Sequence, residues 1–269
     1  MSVITISRGA YSLGKEVAEK VAQRLGYECI AREVLLEASA QFNIPEAKLL
    51  MTMENAPSIL DRFTYGREKY IAYIQAAILM HFQKDNVVYH GMAGHFFVKG
   101  VPHVLKIRII ADLEDRARIV MERDGVSRKE ALRSIKKLDE ERRKWSRHLY
   151  GIDTGDPSLY DLVLHIKKFT ANDAVEIICN SVNLKQFHTT VESQATMDDL
   201  VLAAQVKATL VNLKPDIEVA AKDGVVRLWA GARNTQEVEM VQEIEKMVRE
   251  IPGLRELKIE VTPSISFGE

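Results

Sequence analysis

Residues 3–26 read VITISRGAYSLGKEVAEKVAQRLG, and this stretch decides the fold. Residues 3–6 are a short, mostly β-branched run of the kind that fills a strand buried on both faces. The run breaks at Ser7-Arg8-Gly9. Val17, Val21 and Leu25 then recur every fourth residue with Ala18 and Ala22 beside them, the apolar stripe of an amphipathic helix, and Gly26 is placed to end it. Strand, glycine-bounded loop and helix are therefore predicted within the first 26 residues. The loop, Gly9-Ala10-Tyr11-Ser12-Leu13-Gly14-Lys15, has the spacing G-x-x-x-x-G-K. Such a loop turns successive backbone N–H groups toward phosphate oxygens, and the helix after it aims its positive end at the same anion. Gly9, Ser12, Gly14, Lys15 and Glu16 are the candidate nucleotide-binding residues, with Lys15 as a mobile point charge for the β- and γ-phosphates of ATP. Glu16 stands where Ser or Thr would help to hold Mg²⁺. A carboxylate ligates Mg²⁺ directly or through water, so Glu16 is the candidate metal ligand, although its charge also repels phosphate.

Outward from this unit, helical periodicity is read over residues 32–42 and 67–82, with Pro45 and Pro57 between them. Strands are predicted at 86–89, 104–110 and 162–166, and helices at 113–123, 127–149 and 171–182. The second of these strands reads as a near-continuous apolar run, as inner parallel strands do. Alternating strands and helices argue for an α/β fold, a doubly wound three-layer arrangement on a parallel sheet. Residues 183–195 are polar and aperiodic and are read as a linker region, giving a first domain at 1–185, a linker at 186–195 and a second domain at 196–269. In the second domain Thr196 with Asp199 resembles a capping box, and Leu202, Val206 and Leu210 follow at helical spacing. Strands at 217–221 and 225–229 flank Asp223-Gly224, a hairpin signal. A helix opening at Asn234 and Glu237, Pro252-Gly253 and a strand at 257–262 complete a small α+β unit.

The 269 residues carry 37 Lys and Arg against 38 Asp and Glu, a net charge of −1, which disfavours a general nucleic-acid coat. The balance is a sum of +3 over residues 1–194 (28 basic, 25 acidic) and −4 over residues 195–269 (9 basic, 13 acidic). Two cysteines without C-x-x-C spacing exclude a disulfide framework and a zinc knuckle. With no secretory leader pattern at the N-terminus and no apolar run of about 18 residues, a cytoplasmic protein without a membrane span is expected. Between Glu114 and Arg147 there are twelve basic and eight acidic residues. Most belong to solvated ion pairs at helical spacing. A few arginines on a closing flap are what phosphoryl transfer requires, because its catalysis is largely positioning and charge neutralisation. Arg123, Arg142 and Arg147 are the catalytic candidates beside Lys15.

The order ITIS-loop-GK-helix, then LGYECIAREVL (25–35), VVYHGMAGHF (87–96), the charged stretch 112–145 with Asp139-x-x-Arg142, and YDLVLHIKKFTANDAVEII (160–178) resembles the cytidylate kinase-like family over about residues 2–182. The resemblance implies a P-loop nucleoside monophosphate kinase fold with an arginine lid, and Mg²⁺-dependent transfer of the ATP γ-phosphate to CMP or dCMP. It implies that Gly9, Gly14 and Lys15 form the phosphate loop, that Arg123 ends the first lid helix, and that Asp139 and Arg142 lie near the acceptor. Two positions depart from the family pattern. Ala31-Arg32-Glu33 stands for Asp-Arg-Glu, and Gly91-Met92 for Gly-Arg, with His90 and His95 flanking the place of the missing arginine. These departures leave the acceptor open between a nucleoside monophosphate and a related small molecule. They also leave open a catalytically weak nucleotide-binding regulatory or scaffold protein. Residues 196–263 resemble a BON domain in the Gly224-Val225-Val226 strand, Ala230-Gly231 after it and Pro252-Gly253 before the last strand. That resemblance implies a protein or lipid partner; the unit's acidic balance disfavours docking on anionic lipid. Self-association is left open.

Overall fold

The computed structural model describes residues 2–31, 33–42, 66–91, 94–232 and 237–263. Arg32, Pro45, Pro57, Met92 and Asn234 lie outside the described residues. The larger unit is built on β1 (Val3–Arg8), β2 (Glu28–Ile30), β3 (Val87–His90), β4 (Val104–Ala111) and β5 (Leu162–Ile166), all parallel, in the order β2-β3-β1-β4-β5. The first strand of the chain is thus the central strand, and the chain order reverses between β1 and β4. Ligands of open α/β sheets bind at that reversal, beyond the carboxyl ends of the strands.

Strand periodicity distributes β1 between two cores. Ile4 and Ile6 face α1 (Gly14–Leu25) and α7 (Ala171–Val182), packing with Val17, Val21, Val175 and Ile178. Val3 faces the opposite layer of α2 (Glu33–Phe42) and α3 (Gly66–Gln83), with Val34, Ile74 and Ile78. This is the expected three-layer parallel architecture. Two short elements had no usable pattern: β2, three residues long, and α4 (Gly94–Phe97), four residues long. The strand expected as a near-continuous apolar run departs from that reading. In β4 Leu105, Ile107 and Ile109 are buried, while Lys106, Arg108 and Ile110 alternate with them at partial exposure. Its second face is covered only in part, so it can carry charge toward the carboxyl edge.

Two helices form a separate flap with its own small core. α5 (Leu113–Asp124) ends at Gly125, and α6 (Arg128–Tyr150) begins with a capping box in which Ser127 and Glu130 exchange hydrogen bonds. Ala117, Val120, Ala131 and Ile135 close the space between them.

The region read as a linker is only partly one. Its last residues, 191–195, are helical: α8 (Val191–Leu210) starts at Thr190, whose hydroxyl accepts from the Ser193 N–H at 3.1 Å while the Ser193 hydroxyl accepts from the Thr190 N–H at 2.9 Å. The box expected at Thr196 and Asp199 is therefore displaced by six residues. Met197, Val201, Ala204 and Ala208 of α8 pack into the core beside α3, while Leu202, Val206 and Leu210 pack into the small unit. That unit holds β6 (Glu218–Lys222), β7 (Val225–Ala232), α9 (Glu237–Val248) and β8 (Glu256–Pro263). The hairpin pairs β6 and β7 antiparallel, and β8 returns parallel to β7. Asp223 (φ 50°) and Gly224 (φ 77°) both take the left-handed conformation that a two-residue hairpin turn of this hand demands. Among the described residues no helix is long and apolar enough to cross a membrane.

Candidate active site

The phosphate loop leaves the carboxyl end of β1 and enters α1. Gly14 is required by close packing: a Cβ there would lie 2.7 Å from Cβ of Arg8. Ser12 is buried, and its hydroxyl donates to the carbonyls of Gly9 (3.1 Å) and Ile109 (3.2 Å). The side chain predicted to bind nucleotide thus stitches the loop to β4. Leu13 precedes the helix with φ 62° and no side-chain cap, so the first N–H groups of α1 have no capping side chain. An anion at that end gains both these donors and the helix dipole.

Lys15 and Glu16 open the helix. Lys15 is 65% exposed with Nζ 3.6 Å from Glu19, and Glu16 accepts from Lys20 at 2.6 Å. Among the described residues no group of three His, Cys, Asp or Glu could hold a metal ion. Glu16 alone fits a Mg²⁺ that arrives on ATP phosphates and keeps most of its waters; it does not fit a protein-caged ion.

Beside the loop lies a cavity of about 210 Å³, roofed by α6 and floored by the ends of β1 and β4. Five arginines line it: Arg8, Arg108, Arg116, Arg142 and Arg143. Asp139 is the acidic residue among its described lining residues. Arg142 donates to the Arg8 carbonyl at 3.5 Å. Burial, and then mutual repulsion, lower the affinity of the Arg8 guanidinium for its proton; burial lowers that of Arg142. Arg108 donates to the Ser7 hydroxyl (3.1 Å) and the Tyr160 hydroxyl (3.3 Å), with its guanidinium 5.6 Å from the Tyr160 ring. His95 lines the same cavity. It is 6% exposed, its Nε2 has no partner among the described residues, and burial with Arg108 and Lys106 nearby pushes its pKa down to about 3. His90 is pushed down to about 4 by burial and Arg8. Both are therefore neutral imidazoles at neutral pH, and neither replaces an arginine as a cation.

The predicted residues divide. Gly9, Asp139 and Arg142 line the cavity. Lys15 and Glu16 stand at the helix end beside it. Arg123 and Arg147 lie outside the lining. Arg123 stacks on Tyr11 of the loop at 4.7 Å and pairs with Asp124 at 2.6 Å. Arg147 donates to Asp153 at 2.5 Å, and Asp153 accepts from the Gly155 N–H at 2.9 Å. Arg147 therefore shapes the turn whose Thr154 and Gly155 border the cavity. Asp139 accepts from the Ala10 N–H at 3.0 Å and pairs with the largely buried Arg116 at 2.7 Å. Of the five lining arginines only Arg142 was expected from the sequence; Arg8, Arg108, Arg116 and Arg143 were not. The available signal was a charge inside a buried strand, at Arg108 and directly before the loop at Arg8.

Residues 3–168 match the family model described as the cytidylate kinase-like family. The chain belongs to this family. A cytidylate kinase of Archaeoglobus fulgidus is 31% identical over 188 residues, covering 68% of this chain and 96% of the relative. A cytidylate kinase of Pyrobaculum aerophilum is 29% identical over 190 residues, covering 69% and 97%. A solved structure of an uncharacterized protein from Eubacterium ventriosum superposes with a TM-score of 0.53 at 21% identity, over 69% of this chain and all of that one, which supports the shared fold. Gly9 of the loop and Asp139 and Arg142 of α6 meet at the carboxyl edge of the sheet.

Proposed function

We propose that the protein is an ATP-dependent phosphotransferase of the nucleotide kinase type, moving the ATP γ-phosphoryl group to a nucleoside monophosphate or a related small phosphorylated acceptor. The observation that carries this reading is the cavity of five arginines against the phosphate loop. Amides at the start of α1, with Lys15, would hold the ATP β- and γ-phosphates. Arg8, Arg108 and Arg142 would neutralise the transferring group and the acceptor phosphate. An acceptor phosphate oxygen bonds to the γ-phosphorus as the β–γ bridging bond breaks, and ADP leaves with that electron pair. An acceptor that is already ionised carries no proton on that oxygen, so neutral His95 and His90 need not act as bases. Mg²⁺ carried on ATP would shield its phosphates, with Glu16 the candidate carboxylate at the start of α1.

The second reading is a catalytically weak nucleotide-binding regulatory protein. It is favoured by Lys15 turning to Glu19 and by Asp139 occupying the Ala10 N–H. For residues 196–263 we propose a BON-like interaction module, supported by the helix–hairpin–helix–strand order and the Asp-Gly turn. The test of the main reading is ADP formation from Mg-ATP with a panel of nucleoside monophosphates, with Lys15→Ala in parallel. Turnover dependent on an acceptor and on Lys15 supports the kinase. Tight ATP binding without turnover on any acceptor supports the second reading.

A further inference from the structure

Tyr11 is a phosphate-loop residue that packs with the flap. Its φ is 59°, a left-handed conformation that is strained for a non-glycine side chain and is kept only when its surroundings hold it. The surroundings are α5 and α6. The Tyr11 ring packs on the flap core of Ala117, Val120, Ala131 and Ile135. The Arg123 guanidinium sits 4.7 Å from its ring centroid, and Arg123 Nη2 donates to its hydroxyl at 3.2 Å. The preceding residue is held from the same side. The Ala10 N–H donates to Asp139, and its carbonyl accepts from Arg116 at 3.0 Å. The conformation of residues 10 and 11 is thus set by the flap as much as by the loop.

We propose that Tyr11 is a positioning residue that couples the flap to the phosphate loop. While the flap is docked, its apolar core holds the ring and the left-handed turn persists. When the flap lifts, the ring loses its seat and the turn relaxes. A nucleotide that orders the loop therefore draws the flap down, and docking of the flap prepares the loop. The nucleotide arm of this coupling rests on the proposed function; the loop–flap contact itself does not.

Hydrogen exchange of the full chain separates the two. Tyr11→Ala is expected to speed exchange of the amides of residues 128–150 at least about tenfold while those of residues 104–111 keep wild-type rates. Tyr11→Phe keeps the ring and is expected to retain the protection. ADP is expected to slow flap exchange in the wild type and in Tyr11→Phe, but to slow only the loop in Tyr11→Ala. Should Tyr11→Ala fail to fold, Arg123→Ala opens the other face of the ring and is expected to loosen the same amides. Wild-type flap exchange in Tyr11→Ala, or in Arg123→Ala where it stands in, overturns the coupling, as does flap protection by ADP in Tyr11→Ala. Absence of any ADP effect on wild-type loop exchange overturns the nucleotide reading, while the ligand-free comparison still decides the contact.

Discussion

Arg108 shows how a single strand position acquires a chemical role. It alternates with Leu105, Ile107 and Ile109 in β4, so its side chain leaves the core and meets Ser7, its register partner on β1. Ser7 and Tyr160 fix the guanidinium before any ligand arrives, which lowers the cost of ordering it on an anion. Arg108→Met is expected to lower kcat/KM for the acceptor roughly a hundredfold, the scale for removing one preorganised transition-state donor. Steady-state kinetics check this, and a change below about threefold speaks against a role in the cavity. His95 supplies a pH prediction. Its folded pKa of about 3 lies below its ordinary 6.5, so the unfolded chain takes up its proton first. The stability tied to the neutral ring is complete above about pH 6.5 and is lost as pH falls toward 3, by roughly 3 kcal/mol at pH 4. Urea unfolding of the wild type and His95→Gln should show a shallower acid dependence in the variant. These residues were poorly legible in the sequence. Gly9, Gly14 and Asp139 sit in recognisable spacings, whereas Arg8 reads as a strand terminus and Arg108 as an interruption of an apolar run.

Among the elements, α1 and the hairpin were legible because each carries local instructions. Gly26 ends α1 in the left-handed conformation, and Asp223-Gly224 forms the turn that its two residues favour. The start of α8 was not legible. Its capping box places Ser193 where Glu or Gln more often serves, and its first turn shows an 84% exposed Val191 beside Glu192, which hides the helical period. Two apolar stripes on α8 face two different cores, so no single polar face marks it as a surface helix. Thr190→Ala is expected to cost about 1 kcal/mol through loss of the cap. Equilibrium unfolding in urea measures it, and an unchanged midpoint contradicts the assignment of the helix start.

At the scale of the whole molecule, α8 turns two sequence regions into one mechanical body. Because Met197 and Val201 fill one core and Leu202 and Val206 the other, the full chain is expected to unfold in a single transition. A chain ending at residue 186 should expose the apolar surface around Ile74 and Ile78 and aggregate; calorimetry and light scattering check both statements. The near-zero net charge joins an acidic small unit to a larger unit whose arginines converge at the carboxyl edge of the sheet. The central claim is that this edge transfers a phosphoryl group between two anions. It is tested most directly by following Mg-ATP, the full-length protein and each nucleoside monophosphate by phosphorus NMR. The account predicts loss of the ATP γ-resonance together with a new phosphoanhydride signal on one acceptor, abolished by Lys15→Ala. Inorganic phosphate as the sole product, or no consumption of ATP with any acceptor, would contradict it.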